Sequence, residues 1–122
     1  MKRSLSTLVC DDQRDVADTL SMLLTVSGYS VITTYTGRQA LSAAERLKPE
    51  VAFLDIGLPD LNGYELATAI RAKPWGANTV LIALTGYGSD AERAKAINAG
   101  FNYHFTKPVS YTNLEQLLES IH

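Results

Sequence analysis

A doubly wound α/β sandwich on a five-stranded parallel sheet is the fold class that these 122 residues predict. Two observations carry the prediction. Short apolar or β-branched runs alternate five times with longer amphipathic segments, and several of those runs are continuously apolar, as strands covered on both faces must be. Right-handed crossovers between parallel strands then place helices on both sides of the sheet.

Taken in order, Leu8-Val9-Cys10 is the first strand. A helix follows with Val16, Leu20, Leu23 and Leu24 on its apolar face, and Gly28 stands where it should stop. Ser30-Val31-Ile32-Thr33 is the second strand, and Thr36, three residues before Gln39, reads as the cap of a helix that buries Ala40, Leu41, Ala44 and Leu47. Val51-Ala52-Phe53-Leu54 is the third strand, followed by a helix facing inward through Tyr64, Ala67 and Ile70. Val80-Leu81-Ile82-Ala83-Leu84 is the fourth and longest. The helix after it opens at Ser89, three residues before Glu92, stops at Gly100, and has the weakest stripe, Ala94, Ile97 and Asn98 beside Ala91. Tyr103-His104-Phe105 is the last strand, and Leu114, Leu117, Leu118 and Ile121 line the last helix.

Composition bounds the function. Hydrophobic residues make up 46% and charged residues 20%, the balance of one globular domain spanning 1–122. A formal charge of -2 provides no basic surface for direct nucleic-acid binding. The single cysteine, Cys10, has no partner for an intramolecular disulfide and fits a reducing, cytoplasmic setting. No apolar stretch approaches the length of a membrane span, and no signal-peptide core follows Met1.

In an open parallel sheet the functional crevice lies beyond the carboxyl ends of the strands. Asp11 and Asp12, Asp55, Thr85 and Lys107 occupy those positions here. Three converging carboxylates repel one another unless a cation neutralises them, and hard oxygen ligands favour Mg²⁺. Each residue also has a purely structural reading. Asp11 and Asp12 can open the first helix as caps, Asp55 can stabilise the turn into Ile56-Gly57 by Asx-type bonding, Lys107 can be a solvated charge, and Thr85 suits a strand edge.

Together, the acidic pair, Leu54-Asp55-Ile56-Gly57-Leu58-Pro59 with Gly63 four residues on, Ala83-Leu84-Thr85-Gly86 and Thr106-Lys107-Pro108 closely resemble the receiver domains of bacterial response regulators and hybrid sensor histidine kinases. The resemblance covers almost the whole chain. It implies the flavodoxin-like, CheY-like fold with strand order 2-1-3-4-5. It also implies Asp55 as phosphoacceptor, Asp12 as direct ligand of Mg²⁺ (or Mn²⁺), Asp11 acting mainly through water, and the Gly57 carbonyl as a further ligand. Lys107 would pair with Asp55 or its phosphoryl oxygens, Thr85 would swing toward the phosphoryl group, and the Lys107–Pro108 bond would be cis. The phosphoryl group would come from the phosphohistidine of a histidine kinase or a histidine phosphotransfer domain, in a domain that catalyses its own phosphorylation and dephosphorylation. The face made by the fourth helix, fifth strand and fifth helix would then change, in a monomer or a phosphorylation-linked dimer.

Two features depart from the common pattern. His104 stands three residues before Lys107, where many relatives carry tyrosine or phenylalanine, so it is either a pH-sensitive switch or an ordinary half-exposed strand residue. Gly57 and Tyr87 occupy the positions that tune dephosphorylation in the family this chain resembles, and the pairing implies slow loss of the phosphoryl group. The alternatives are a pseudo-receiver that keeps the fold as an interaction module, a dehalogenase-type phosphatase and a flavodoxin-like nucleotide binder. The phosphatase needs an aspartate where Gly57 stands, and no glycine-rich fingerprint follows the first strand for a nucleotide.

Overall fold

The computed structural model describes residues 5–86 and 88–121. Its strands are β1 (Ser6–Cys10), β2 (Ser30–Thr34), β3 (Val51–Asp55), β4 (Val80–Thr85) and β5 (Tyr103–Thr106). They form one parallel sheet in the order β2-β1-β3-β4-β5. The helices are α1 (Arg14–Val26), α2 (Gly37–Leu47), α3 (Gly63–Arg71), α4 (Asp90–Ala99) and α5 (Tyr111–Ser120). A 3-10 turn over Pro74–Asn78, which hydrophobic periodicity does not announce, leads into β4.

Successive residues of a strand point to opposite faces, and the two cores separate on that alternation. Leu8, Cys10, Ala52, Leu54, Leu81 and Ala83 pack under α2, α3 and α4. Val9, Val51, Phe53, Ile82 and Leu84 pack under α1 and α5. Only β1, β3 and β4 are covered on both faces, which is why they read as unbroken apolar runs. The edge strands β2 and β5 are half exposed, through Ile32 and Tyr103 among others.

The helix ends follow from local chemistry. Thr36 accepts the Gln39 amide, and Gly28 and Gly100 adopt the positive φ that lets the chain leave α1 and α4. The residues expected to close capping boxes are used elsewhere: the Gln39 amide oxygen accepts from the Tyr35 N–H, and the Glu92 carboxylate accepts from the Tyr64 hydroxyl at 2.5 Å. A complete capping box forms instead at Asn62 and Glu65, where α3 begins.

One expected face is corrected. Ala91, Ala94, Ile97 and Asn98 are exposed, Ile97 to 70%, and α4 buries Ala96 instead. Small residues spread around this helix, so no apolar stripe dominates, and polar ties at both ends set its orientation. The Tyr64 hydroxyl holds Glu92 near the start, and the Arg71 guanidinium donates to the Gly100 carbonyl at the end.

Candidate functional site

The sheet register assembles the site. Cys10 pairs with Leu54, Asp55 with Leu84, and Thr85 with Thr106, so the residues that leave β1, β3, β4 and β5 emerge side by side. Backbone bonds continue the sheet past its regular end. Ile56 donates to the Leu84 carbonyl at 3.0 Å, Lys107 to the Thr85 carbonyl at 2.7 Å, and Asp11 to the Thr34 carbonyl at 3.3 Å. The last of these tethers the start of the acidic pair to the edge strand.

Five of the expected residues lie together. One carboxylate oxygen from each of Asp11, Asp12 and Asp55 lies within 4.8 Å of the others. Asp11 is fully buried, Asp55 is 5% exposed, and Asp12 opens to solvent. The Lys107 Nζ stands 2.9 Å from Asp11 Oδ2 and 3.4 Å from Asp55 Oδ1. Thr85 is buried at the end of β4, and the Lys107–Pro108 bond is cis. His104 is half-buried on β5, and its Nε2 is buried without a partner among the described residues. Tyr87 lies outside the described residues.

Structural and chemical readings of the same residue coexist here. Asp55 Oδ1 accepts the Gly57 N–H at 3.1 Å, the Asx-type bond expected of a turn aspartate, and also faces Lys107. Asp11 Oδ1 accepts the Gln13 N–H at 2.9 Å while Oδ2 binds Lys107. Neither Asp11 nor Asp12 caps α1; its N-cap is Gln13, whose side chain caps nothing and instead accepts from Lys107 Nζ at 3.2 Å. That Gln13 contact has no signature in the sequence, because it depends on a lysine 94 positions away.

Electrostatics single out one carboxyl. Burial pushes Asp55 up from the usual aspartate range to about 6; the Gly57 N–H opposes the rise, the Asp11 charge adds to it, and Lys107 again opposes it. Burial pulls the Lys107 ammonium down, but the bond to Asp11 and the charge of Asp55 outweigh that and hold it above the ordinary lysine value. One ammonium therefore faces three acidic groups in a partly dry cleft. The donor set is all hard oxygen, which suits a hard divalent cation. Cys10, next to the cleft, is not reactive: burial pushes its thiol up to about 12.

Glycine is required where the cleft meets α3. A Cβ on Gly63 would lie 2.6 Å from the Asp55 carbonyl and 2.7 Å from the Ile56 Cα, so a side chain would drive the helix off the acidic loop. A Cβ on Gly57 would meet only Asp55 Oδ1, at an ordinary 3.8 Å. The two glycines of one motif thus differ: Gly63 is there for space, whereas Gly57 is sterically free to vary.

A 2-1-3-4-5 sheet with an acidic cleft and a lysine at its carboxyl edge defines the class, a receiver-type signalling domain. Residues 7–119 match the family model of the response regulator receiver domain, and the chain belongs to that family. Its fold is shared with the chemotaxis response regulator CheY4 of Vibrio cholerae, at a TM-score of 0.91 and 25% identity over 98% of this chain and 100% of that one. The receiver domain of the sensor histidine kinase PA1611 from Pseudomonas aeruginosa, solved with a magnesium ion in its active-site cleft, is similar at a TM-score of 0.86 and 28% identity, over 97% of each chain.

Among sequence relatives, an uncharacterized 14.6 kDa protein of Leptolyngbya boryana is 36% identical over 92% of this chain and 86% of its own length. The transcriptional regulatory protein KdpE of Mycobacterium tuberculosis is 38% identical over 83% of this chain. The matched region spans only 43% of KdpE. The chain is thus a receiver domain of two-component systems, homologous to response regulators. Among the described residues no helix is long and apolar enough to cross a membrane.

Proposed function

We propose that the domain accepts a phosphoryl group on Asp55, in a Mg²⁺-dependent reaction, from a phosphohistidine of a histidine kinase or histidine phosphotransfer protein. The observation that carries this reading is the convergence of Asp11, Asp12 and Asp55 within 4.8 Å, with Lys107 3.4 Å from Asp55. Asp11, Asp12, Asp55 and the Gly57 carbonyl would hold the metal, which neutralises charge on the transferring oxygens when bound. The residues fit that role, since their oxygens outnumber the single neighbouring cation.

Asp55 supplies the nucleophile. One carboxylate oxygen attacks phosphorus in line, the phosphorus–nitrogen bond breaks, and its electron pair leaves with the imidazole nitrogen of the partner. The Gly57 N–H fixes the orientation of the carboxylate beforehand. Lys107, already between Asp11 and Asp55, balances the growing negative charge. The Thr85 hydroxyl then turns toward the phosphoryl oxygens. Because Lys107 N–H is bonded to the Thr85 carbonyl, the ends of β4 and β5 respond together, and the α4-β5-α5 face carries the output.

The test is incubation of the purified domain with acetyl phosphate, with Mg²⁺ or with a chelator, followed by intact mass. A gain of one phosphoryl mass that requires Mg²⁺ and disappears in Asp55→Asn is the expected result. A folded domain that never gains the group would make it a pseudo-receiver, an interaction module acting without phosphate.

A further inference from the structure

On the opposite side of the sheet edge from the β5 face lies a feature that phosphoryl chemistry does not use. A groove of about 700 Å³ runs between β2 and α2. Arg14, Arg38 and Arg46 line it, all exposed, on a chain whose formal charge is -2. Among the described residues, none of the three has a carboxylate within ion-pair distance. The guanidinium of Arg14 stacks on the Tyr35 ring, 4.1 Å from its centroid. The neighbouring carboxylates are occupied: Asp18 accepts the Tyr35 hydroxyl at 2.6 Å, Asp60 the Gly37 and Arg38 amides, and Glu45 pairs with Lys73. Three exposed cations thus flank the groove, Arg14 from α1 and Arg38 and Arg46 from α2.

The groove runs along the outer edge of β2, which among the described residues pairs only with β1. In a parallel ladder, alternate residues bond to the same neighbour. Ser30 donates to Leu5 and Thr34 accepts from Asp11, so the backbone groups of Val31 and Thr33, in the alternate set, face outward from β1. Ile32, 43% exposed, supplies an apolar spot beside them. An open strand edge, an apolar spot and three guanidiniums without a carboxylate partner among the described residues line one concave surface.

We propose that this groove docks an acidic, extended peptide segment of a partner protein, which adds as a strand to β2 and places its carboxylates against Arg14, Arg38 and Arg46. Strand addition uses the free N–H and C=O groups of Val31 and Thr33, and arginine forks match carboxylates in pairs. Charge complementarity selects the occupant. A second copy meeting edge to edge would oppose arginine to arginine, and a nucleic acid has no use for an open strand edge. The groove uses none of the residues proposed to hold the metal or accept the phosphoryl group, although the Asp11 N–H ties its Thr34 to the cleft, so binding is measured without phosphorylation of Asp55.

The experiment uses the unphosphorylated domain and a short fluorescent peptide of alternating glutamate and valine, read by anisotropy at low salt, with amide shifts in two-dimensional NMR. Saturable binding that shifts the Val31 and Thr33 amides, and weakens about tenfold or more in Arg38→Glu/Arg46→Glu, is expected. Both arginines are exposed and, among the described residues, without side-chain partners, so the variant should keep the fold, which circular dichroism verifies. The same peptide with N-methylated backbone should lose binding while keeping its charge. Several results would overturn the proposal: no binding, equal binding of a lysine-valine peptide, shifts confined to other surfaces, binding of a single-stranded oligonucleotide in place of the peptide, or dimerisation through β2 that excludes it.

Discussion

At the scale of single residues, the acidic cleft shows why five positions are readable from the sequence and others are not. Asp11, Asp12, Asp55, Thr85 and Lys107 each leave the carboxyl end of a strand, so recognising the strands located them. Gln13 joins them only through the Lys107 side chain, and the Arg71 fan of bonds to Gly76, Thr79, Gly100 and Asn102 depends on where loops converge. Nothing local in the sequence marks either. Gly57 offers the clearest kinetic prediction. Because a Cβ there meets only an ordinary 3.8 Å contact, Gly57→Asn should fold normally and shorten the lifetime of the phosphoryl group, as an amide can orient attacking water. Loss of the adduct followed by intact mass checks this; an unchanged lifetime would remove Gly57 from the account of slow dephosphorylation.

His104 yields a prediction about pH. Burial lowers its pKa, the Arg93 charge on α4 lowers it further, and Glu92 on the same helix opposes this. A depressed histidine takes up its proton in the unfolded chain before the folded one. Its contribution to stability is therefore complete above about pH 6.5 and is lost as pH falls through the lowered folded value. Urea unfolding of wild type and His104→Phe between pH 7.5 and 5, read as a difference, should show the wild type losing more stability on acidification. Parallel curves would refute a native-state cost of protonating His104.

At the scale of elements, the central strands and four of the five helical faces were legible because burial on two sides or on one stripe leaves an apolar pattern. The register between strands was not, since it is set by contacts distant in sequence. The buried face of α4 is not legible in the sequence for a related reason: Ala91, Ala94, Ala96 and Ala99 surround the helix, and orientation comes from Tyr64 and Arg71 on α3. Arg71 also satisfies the carbonyls of Gly76 and Thr79 and the side chain of Asn102 without a carboxylate partner. Replacing it with leucine removes these bonds, leaving Asn102 Oδ1 with the Leu81 N–H, and should cost about 2 kcal/mol. Hydrogen exchange should locate the loss at the end of α4 and the start of β5. Uniform loosening of the whole domain would instead argue that α4 is held by its core contacts.

At the scale of the whole molecule, function and stability oppose each other in the cleft. Three carboxylates and one ammonium leave an excess of negative charge where burial already disfavours it. Asp55→Asn should therefore stabilise the metal-free domain by about 0.5 to 2 kcal/mol, as expected when a strained functional charge is removed. Mg²⁺ should raise the melting temperature of the wild type, by roughly 2.7 kcal/mol in free-energy terms at a hundredfold excess over Kd, and shift Asp55→Asn much less. Thermal melts of both proteins with Mg²⁺ and with chelator decide the matter. Equal shifts would place the cation elsewhere on the surface.

The most direct test is to ask which carboxyl carries the phosphoryl group. After treatment with acetyl phosphate and Mg²⁺, borohydride reduction converts an acyl phosphate to a primary alcohol on the side chain that held it, and peptide mass spectrometry locates that alcohol. Phosphoryl transfer to Asp55 predicts reduction at that residue alone, dependent on Mg²⁺. Reduction at Asp11 or Asp12, or none at any aspartate of the folded domain, would contradict it.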